Sequence, residues 1–445
     1  MKDITEKVIE YQPEIIKRIQ ELIQIKSIEN TPKEGKPFGE GVDGALKFML
    51  KLSEELGFRT KNGFGYYGFA EMGEGEEIVG ILGHLDVVPE GDHTTWTYPP
   101  YGGCTENGRI YGRGAVDDKG PIMGALYAMK IVKDLGLPIG KRVRIIFGTN
   151  EETRWEDMAK YKQEEEIPVC GFTPDSDYPL IFAEKGLLQF QLVCNKGSSI
   201  LLTGGTAYNS VPDKCSYDFQ NNHVLLNSLD KYGYQYNVDE ETLTVLGKAS
   251  HSAKAWRGTN AVVRLCMALN DSGIQNEAIR FIAEILGEDC YATGVIGQCE
   301  DVPSGKMTFN VAKIDFNDEQ QVIGVDIRFP VTKKKEEIVA AIQKSVSKYN
   351  LDYREIDYIA PLYVSNLHPL VQMLRRIYEE ETGLDSTPIS TGGATYARAF
   401  ENFVAFGPLF PGKEKMAHQK DEYIEINDLM KSVEMYVKAI AEMAK

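Results

Sequence analysis

Residues 76–88 read EEIVGILGHLDVV. Two glutamates lead into an apolar, β-branched run of the kind that forms a buried strand, and the run closes on His84 and Asp86. Residues two apart on a strand point to the same face. His84 and Asp86 therefore share a side at the carboxyl end of a predicted strand, where open α/β sheets place their functional groups. The pair can be a metal ligand with its partner, or a hydrogen-bonded couple ending a strand. The stretch alone leaves both open.

Working outward, residues 4–25 and 43–56 carry apolar side chains at helical spacing. PIMGALYAMKIVKDLGL, residues 121–137, predicts a helix, with Pro121 at its first positions and Gly136 as a C-terminal cap. Asn107-Gly108 marks a tight turn, and KRVRIIFGTNEET, residues 141–153, is a second strand running into polar residues. Helices alternating with apolar strands give an α/β layer structure with a mostly parallel sheet flanked by helices. From residue 187 to about 359 the strands alternate polar and apolar side chains, as in LLQFQLV and MTFNVAKIDF, which suits antiparallel sheet with one covered face. The α/β texture then returns and ends in a long helix. The expected organisation is a catalytic domain formed by 1–184 and 360–445, with an inserted α+β lid domain at 185–359.

The chain has 445 residues, 42% apolar and 26% charged, enough for two globular domains. A formal net charge of -17 argues against nucleic-acid binding and against docking to anionic membrane. The seven cysteines are odd in number and form no CxxC pair, the amino terminus has no signal-peptide core, and no apolar run reaches a membrane span. The expectation is a reduced, soluble, cytoplasmic protein.

Four more segments carry candidate chemistry. GRGAVDDKG, residues 112–120, sets Asp117 and Asp118 before a helix start, where they can cap the helix or hold a cation. GTNEET, residues 148–153, puts adjacent Glu151 and Glu152 at a strand end. TPDSDYP, residues 173–179, carries Asp175, and MAHQKDEYI, residues 416–424, carries His418. Each has a structural explanation alone. Together they form a mixed nitrogen and oxygen donor set that suits zinc, manganese or cobalt, and a carboxylate shared by two ions would make a dinuclear centre.

With GKASHSAKAWRGTNA, VDIRFP and TGGATYAR added in order along the chain, these motifs resemble those of the dinuclear-zinc metallopeptidases that include aminoacylase, carboxypeptidase G and succinyl-diaminopimelate desuccinylase, and resemble the bacterial peptidase V-type dipeptidases best. The resemblance implies a zinc-peptidase-like catalytic fold. It implies two divalent metal ions, zinc above all, with manganese or cobalt as alternatives. His84 and Asp175 would hold one ion, His418 and Glu152 the other, and Asp117 both, with a cis peptide to Asp118. Asp86 would orient the His84 imidazole through its other ring nitrogen. Glu151 would be the general base, working on a hydroxide that bridges the metals. In the lid, His251 would stabilise the oxyanion, and Arg328 would grip the substrate carboxylate by a charge-assisted fork. Asn209 would add a polar contact, and Gly392 and Gly393 would offer backbone N–H groups. His93, His223 and His368 match nothing catalytic.

Three positions depart from the family pattern. Asn150 stands where an Asp is usual, Ala255 where the lid motif has Pro, and Arg154 where a small or hydroxyl residue is common. The enlarged insertion favours the dipeptidase branch, hydrolysis of dipeptides with a free amino end, and a monomer over a lid-paired dimer. An N-acyl-amino-acid deacylase is the alternative within the family, and a non-catalytic metal- or peptide-binding homologue the minor one.

Overall fold

The computed structural model describes residues 2–218, 222–239 and 241–445. The chain divides into two compact units. One comprises Met1–Phe182, Tyr363–Ile389 and Ala394–Lys445, the other Ala183–Leu362 and Ser390–Gly393.

In the first unit, strand Ile78–His84 lies between Arg142–Gly148 and Cys170–Thr173, parallel to both, and Phe403–Ala405 continues the parallel set beyond Cys170–Thr173. All seven residues of Ile78–His84 are buried, which explains the unbroken apolar run: a parallel strand covered on both faces has no solvent side. A separate short pair, Pro408–Leu409 with Ser176–Asp177, is also parallel, but the sheet's other flank is not. Arg59–Asn62 and Gly68–Met72 pair antiparallel with each other, and Gly68–Met72 pairs antiparallel with Arg142–Gly148. Phe64 and Gly65, both at positive φ, turn the chain within a few residues, and a turn that short can only join antiparallel neighbours.

Helix Lys119–Asp134 supports the sheet, and Gly124 lets Leu429 and Val433 of helix Ile426–Met443 approach its backbone. Each fully buried side chain such as Leu429, Val433 or Ile440 contributes about 1.5–3 kcal/mol. The first helix, Lys2–Ile23, buries Val8, Ile15, Ile19 and Leu22 along one stripe. The Lys119 ammonium, fully buried, donates to the carbonyls of Leu22 (3.1 Å) and Ile25 (2.7 Å) at and just beyond that helix's end. Asn107 and Gly108, both at positive φ, close the hairpin of Cys104–Glu106 with Arg109–Tyr111. Tyr423–Glu425 adds a third antiparallel strand to it, with Tyr423 opposite Tyr111.

The second unit is α+β. Its eight-stranded antiparallel sheet runs Tyr236–Asp239, Thr242–Leu246, Lys214–Asp218, Leu202–Gly204, Thr308–Phe316, Gln321–Phe329, Gly186–Cys194, Asp352–Ile359. Leu188, Phe190 and Leu192 alternate into a core that also takes Leu265 and Leu269 of helix Ala261–Asp271 and Ile338 and Ile342 of helix Lys335–Val346. Among the described residues, no helix of either unit is long and apolar enough to cross a membrane.

Candidate metal centre

The parallel strands of the first unit deliver their next residues to one edge. His84 ends its strand opposite Gly148, which leads through Thr149 to Glu151 and Glu152. Asp175 lies two residues beyond Thr173. Asp117 precedes helix Lys119–Asp134, and His418 precedes strand Tyr423–Glu425. The Asp117–Asp118 peptide is cis. His418 sits at φ 65°, left-handed backbone that non-glycine residues adopt uncommonly.

The side chains converge. His84 Nε2 is 2.9 Å from Asp117 Oδ1 and 3.6 Å from Asp175 Oδ2. His418 Nε2 is 3.1 Å from Asp117 Oδ2 and 3.1 Å from Glu152 Oε1. Asp117 thus turns one oxygen to each imidazole, and each imidazole has a second carboxylate of its own. Ligand atoms of His84, Asp117 and Glu152 all lie within 4.8 Å of one another. Two imidazole nitrogens and three carboxylates, gathered in two overlapping sets, fit a pair of borderline divalent cations sharing Asp117.

The charge balance has the same form. Burial resists a charge on His84, but Asp117, Asp175 and Asp86 outweigh it and carry its pKa well above the ordinary imidazole value. Asp117 and Glu152 raise His418 to about 11. Burial pulls Asp117 upward, and the two histidines overcome it and hold the carboxyl low. Glu151 is pushed well above the usual carboxylate range by burial, helped by Asp175, Glu152 and Asp117 and opposed by His84. Positive charge is favoured between these groups, which is what a cation supplies.

The surrounding hydrogen bonds give Asp86 a second task. His84 Nδ1 is held by the main-chain carbonyl of Asp86 at 2.9 Å, while the Asp86 carboxylate stands 3.6 Å away. That carboxylate is engaged elsewhere: Oδ1 accepts the Glu151 N–H (3.1 Å) and Oδ2 the Glu152 N–H (3.0 Å). Asp86 therefore anchors the Glu151–Glu152 turn with its carboxylate, and its main-chain carbonyl holds the imidazole with the carboxylate beside it as a charge partner.

A second buried carboxylate, absent from the sequence reading, anchors the preceding residues. Asp157 Oδ2 accepts from Thr149 N (2.7 Å), Asn150 N (3.1 Å) and the Tyr396 hydroxyl. The Tyr396 ring packs against Gly148, His84 and Trp155, and Trp155 Nε1 donates to the Glu151 carbonyl at 2.7 Å. Burial raises Asp157 to about 6. Asn150 donates to Thr153 Oγ1 (2.5 Å) and accepts from Glu156 N (3.1 Å), two roles that an amide fills at once and a carboxylate cannot. Arg154 is exposed, 3.7 Å from Glu156.

The remaining candidates belong to the second unit. His251 is exposed, and its Nδ1 accepts from Ala253 N at 3.1 Å, which leaves Nε2 to carry the hydrogen. Burial, Arg328 and Lys254 lower its pKa, with Asp326 opposing, so the ring is neutral near pH 7. Ser210 bridges to His251, and Ser252 N donates to Asn209 O (2.9 Å), so the segments of Asn209 and His251 lie side by side. Asn310, 2% exposed, ties them further by donating to Ser210 O (2.8 Å) and Ser252 Oγ (3.1 Å). Arg328 spends Nε and Nη2 on Asp326 (2.9 and 3.2 Å) and Nη1 on the Gly392 carbonyl (2.8 Å). Gly393 N donates to Thr391 Oγ1 at 3.1 Å. Gly392 packs its backbone against Ala253 at a distance that leaves no room for a Cβ.

Comparison with known proteins bears on the family and the fold. The model of peptidase family M20/M25/M40 matches residues 80–442. A Bacillus subtilis (strain 168) protein named "Putative dipeptidase YtjP" is 40% identical over 462 residues, covering 98% of this chain and 99% of its own. Among solved structures, the di-peptidase Dug1p from Saccharomyces cerevisiae shares the fold at TM-score 0.61 and 13% identity, covering 99% of this chain and 98% of its own. An M20 family metallo-carboxypeptidase from Sulfolobus solfataricus does so at TM-score 0.58 and 18% identity, covering 96% and 98%.

Proposed function

From the premise that this chain belongs to peptidase family M20/M25/M40, and is therefore a hydrolase of peptide bonds that works with divalent metal, we propose that it is a dipeptidase acting through a metal pair. The observation that supports the pair is the division of the Asp117 carboxylate, with Oδ1 toward His84 and Oδ2 toward His418. His84 and Asp175 would hold one ion, His418 and Glu152 the other, and Asp117 both. When bound, two such ions polarise the scissile carbonyl and ionise an attacking water near neutral pH.

The chain's own part is proton transfer and positioning. Glu151, as the carboxylate, accepts the proton of the attacking water and returns it to the leaving amine nitrogen, and burial raises its proton affinity so that it can hold the proton between the two steps. Asp86 and Asp157 hold the turn that carries Glu151 by accepting four consecutive N–H groups, those of residues 149–152. Neutral His251 donates from Nε2 to the developing oxyanion. Arg328, with the Gly392–Gly393 backbone, receives the substrate's carboxylate end, and Asn209 adds a polar contact near the reacting carbonyl. Because Asp326 already occupies much of its fork, Arg328 acts there as a fixed, oriented charge. Zinc is the proposed ion, manganese and cobalt the alternatives, and the working form is a cytoplasmic monomer.

A panel of dipeptides and N-acetyl and N-succinyl amino acids, run with zinc, manganese and cobalt, tests the assignment. Dipeptide cleavage is the expected result. Turnover of the acyl amino acids with no dipeptide cleavage would replace this function with that of a deacylase.

A further inference from the structure

Glu422 is fully buried, and its carboxylate is saturated by the chain segment that ends in Asp117. Oε1 accepts from Gly114 N (3.1 Å), Val116 N (3.0 Å) and Asp117 N (3.3 Å), and Oε2 accepts from Arg113 Nη1 at 2.7 Å. Arg113 is 2% exposed and reaches the other way as well. Its Nη1 donates to the Gln419 carbonyl (3.2 Å) and its Nη2 to those of His418 (3.5 Å) and Pro89 (3.4 Å). The register of Tyr423–Glu425 against Arg109–Tyr111 brings the two segments together, and Gly112 N donates to the Glu422 carbonyl at 2.9 Å.

We propose that Glu422 and Arg113 are positioning residues for the metal pair: one buried ion pair clamps the backbone carrying Asp117 to the backbone carrying His418, and so fixes the spacing of two ligands to the same ion. This rests on the metal-pair assignment above. A buried ion pair is poor value as a source of stability alone, because its desolvation offsets much of its attraction. Its worth here lies in where its hydrogen bonds end. One carboxylate oxygen serves three N–H groups of the Asp117 segment, and the guanidinium fork serves carbonyls of the His418 segment. Neither Gln at 422 nor Lys at 113 reproduces this. Gln would turn an NH₂ toward Arg113, and Lys has no fork with which to span Glu422, Gln419 and His418 together.

Metal-free wild-type protein, Arg113→Lys and Glu422→Gln are titrated with zinc against a competing chelator, and thermal unfolding of each is recorded alongside. The wild type takes up two equivalents. In both variants one of the two equivalents loses affinity by about ten- to hundredfold, while the other changes far less. Arg113→Lys keeps the charge pair, and provided its thermal scan shows it folded at the titration temperature it carries the test if Glu422→Gln fails to fold. Two equivalents bound by Arg113→Lys as tightly as by the wild type would overturn the clamp and leave the metal pair standing. Fewer than two equivalents in the wild type would remove the pair, and the clamp with it.

Discussion

Replacing Asp86 by Asn separates two roles for that carboxylate. Asp86 is 1% exposed, and its two oxygens each accept one backbone N–H, from Glu151 at 3.1 Å and from Glu152 at 3.0 Å. Asn has the same shape but one acceptor fewer. Whichever way the amide turns, its NH₂ faces an N–H. One hydrogen bond to a charged acceptor is lost, worth about 1.5–3 kcal/mol, and a buried donor is stranded, so the total falls at about 2–5 kcal/mol. The turn relieves this by shifting, and a shift of about 1 Å in the residues around a reacting centre lowers kcat about a hundredfold. Steady-state kinetics at saturating metal, a chelator-competed zinc titration and urea unfolding measure the three consequences. The expected pattern is a large fall in kcat, a modest fall in stability, and weaker binding of the ion held by Glu152. An unchanged kcat, with loss confined to the ion held by His84, would refute the turn-anchoring role and return the carboxylate to the imidazole.

Glu151→Gln should leave two bound ions by elemental analysis and lower kcat by at least about 10²-fold, the smaller end of general-base contributions; retained turnover would remove Glu151 as the base. His251→Ala, at an exposed position, should leave the unfolding temperature in place and reduce kcat by about 10²–10³-fold; a change in KM alone would make His251 a binding residue only. Burial would raise Glu90, but Lys26, Tyr101 and His93 outweigh it and hold the carboxyl at about 2. A depressed carboxyl stabilises the fold above its unfolded value and loses that contribution as pH falls toward the folded one, here between about pH 5 and pH 2. Acid unfolding of Glu90→Gln should lack that component, and identical acid profiles for the two proteins would count against it.

Much of the fold was legible because its strongest signals are local. The buried run before His84, the helix after Asp118 and the Asn107-Gly108 turn each carry their own period or turn chemistry. The metal-ligand candidates were legible through motif order, and the structure gathers them. What escaped is buried polar pairing across long stretches of chain. Asp157 meets Tyr396, and Glu422 meets Arg113 and Asp117, across separations that leave no periodic trace. Asp86 was matched to its neighbour His84 because nothing local announces that residues 151 and 152 fold back onto it. Arg328 offers the opposite lesson. Alternation on a strand placed His84 and Asp86 on one face, and the same rule puts Asp326 beside Arg328, so the engaged state of that arginine was within reach of the pattern already in use.

The main segment of the second unit, Ala183–Leu362, has its two ends on neighbouring strands, with Leu187 paired to Ile359. Backbone partners across an antiparallel ladder sit about 4.5–5.5 Å apart, so residues 187–359 leave the polypeptide and rejoin it at almost one point. Topologically this is a cassette: its flanks can be spliced by a turn of a few residues without stretching either side. A shortened chain made that way keeps every residue of the candidate metal centre and discards His251 and Arg328, so on the proposed roles genetic excision would separate ion capture from turnover.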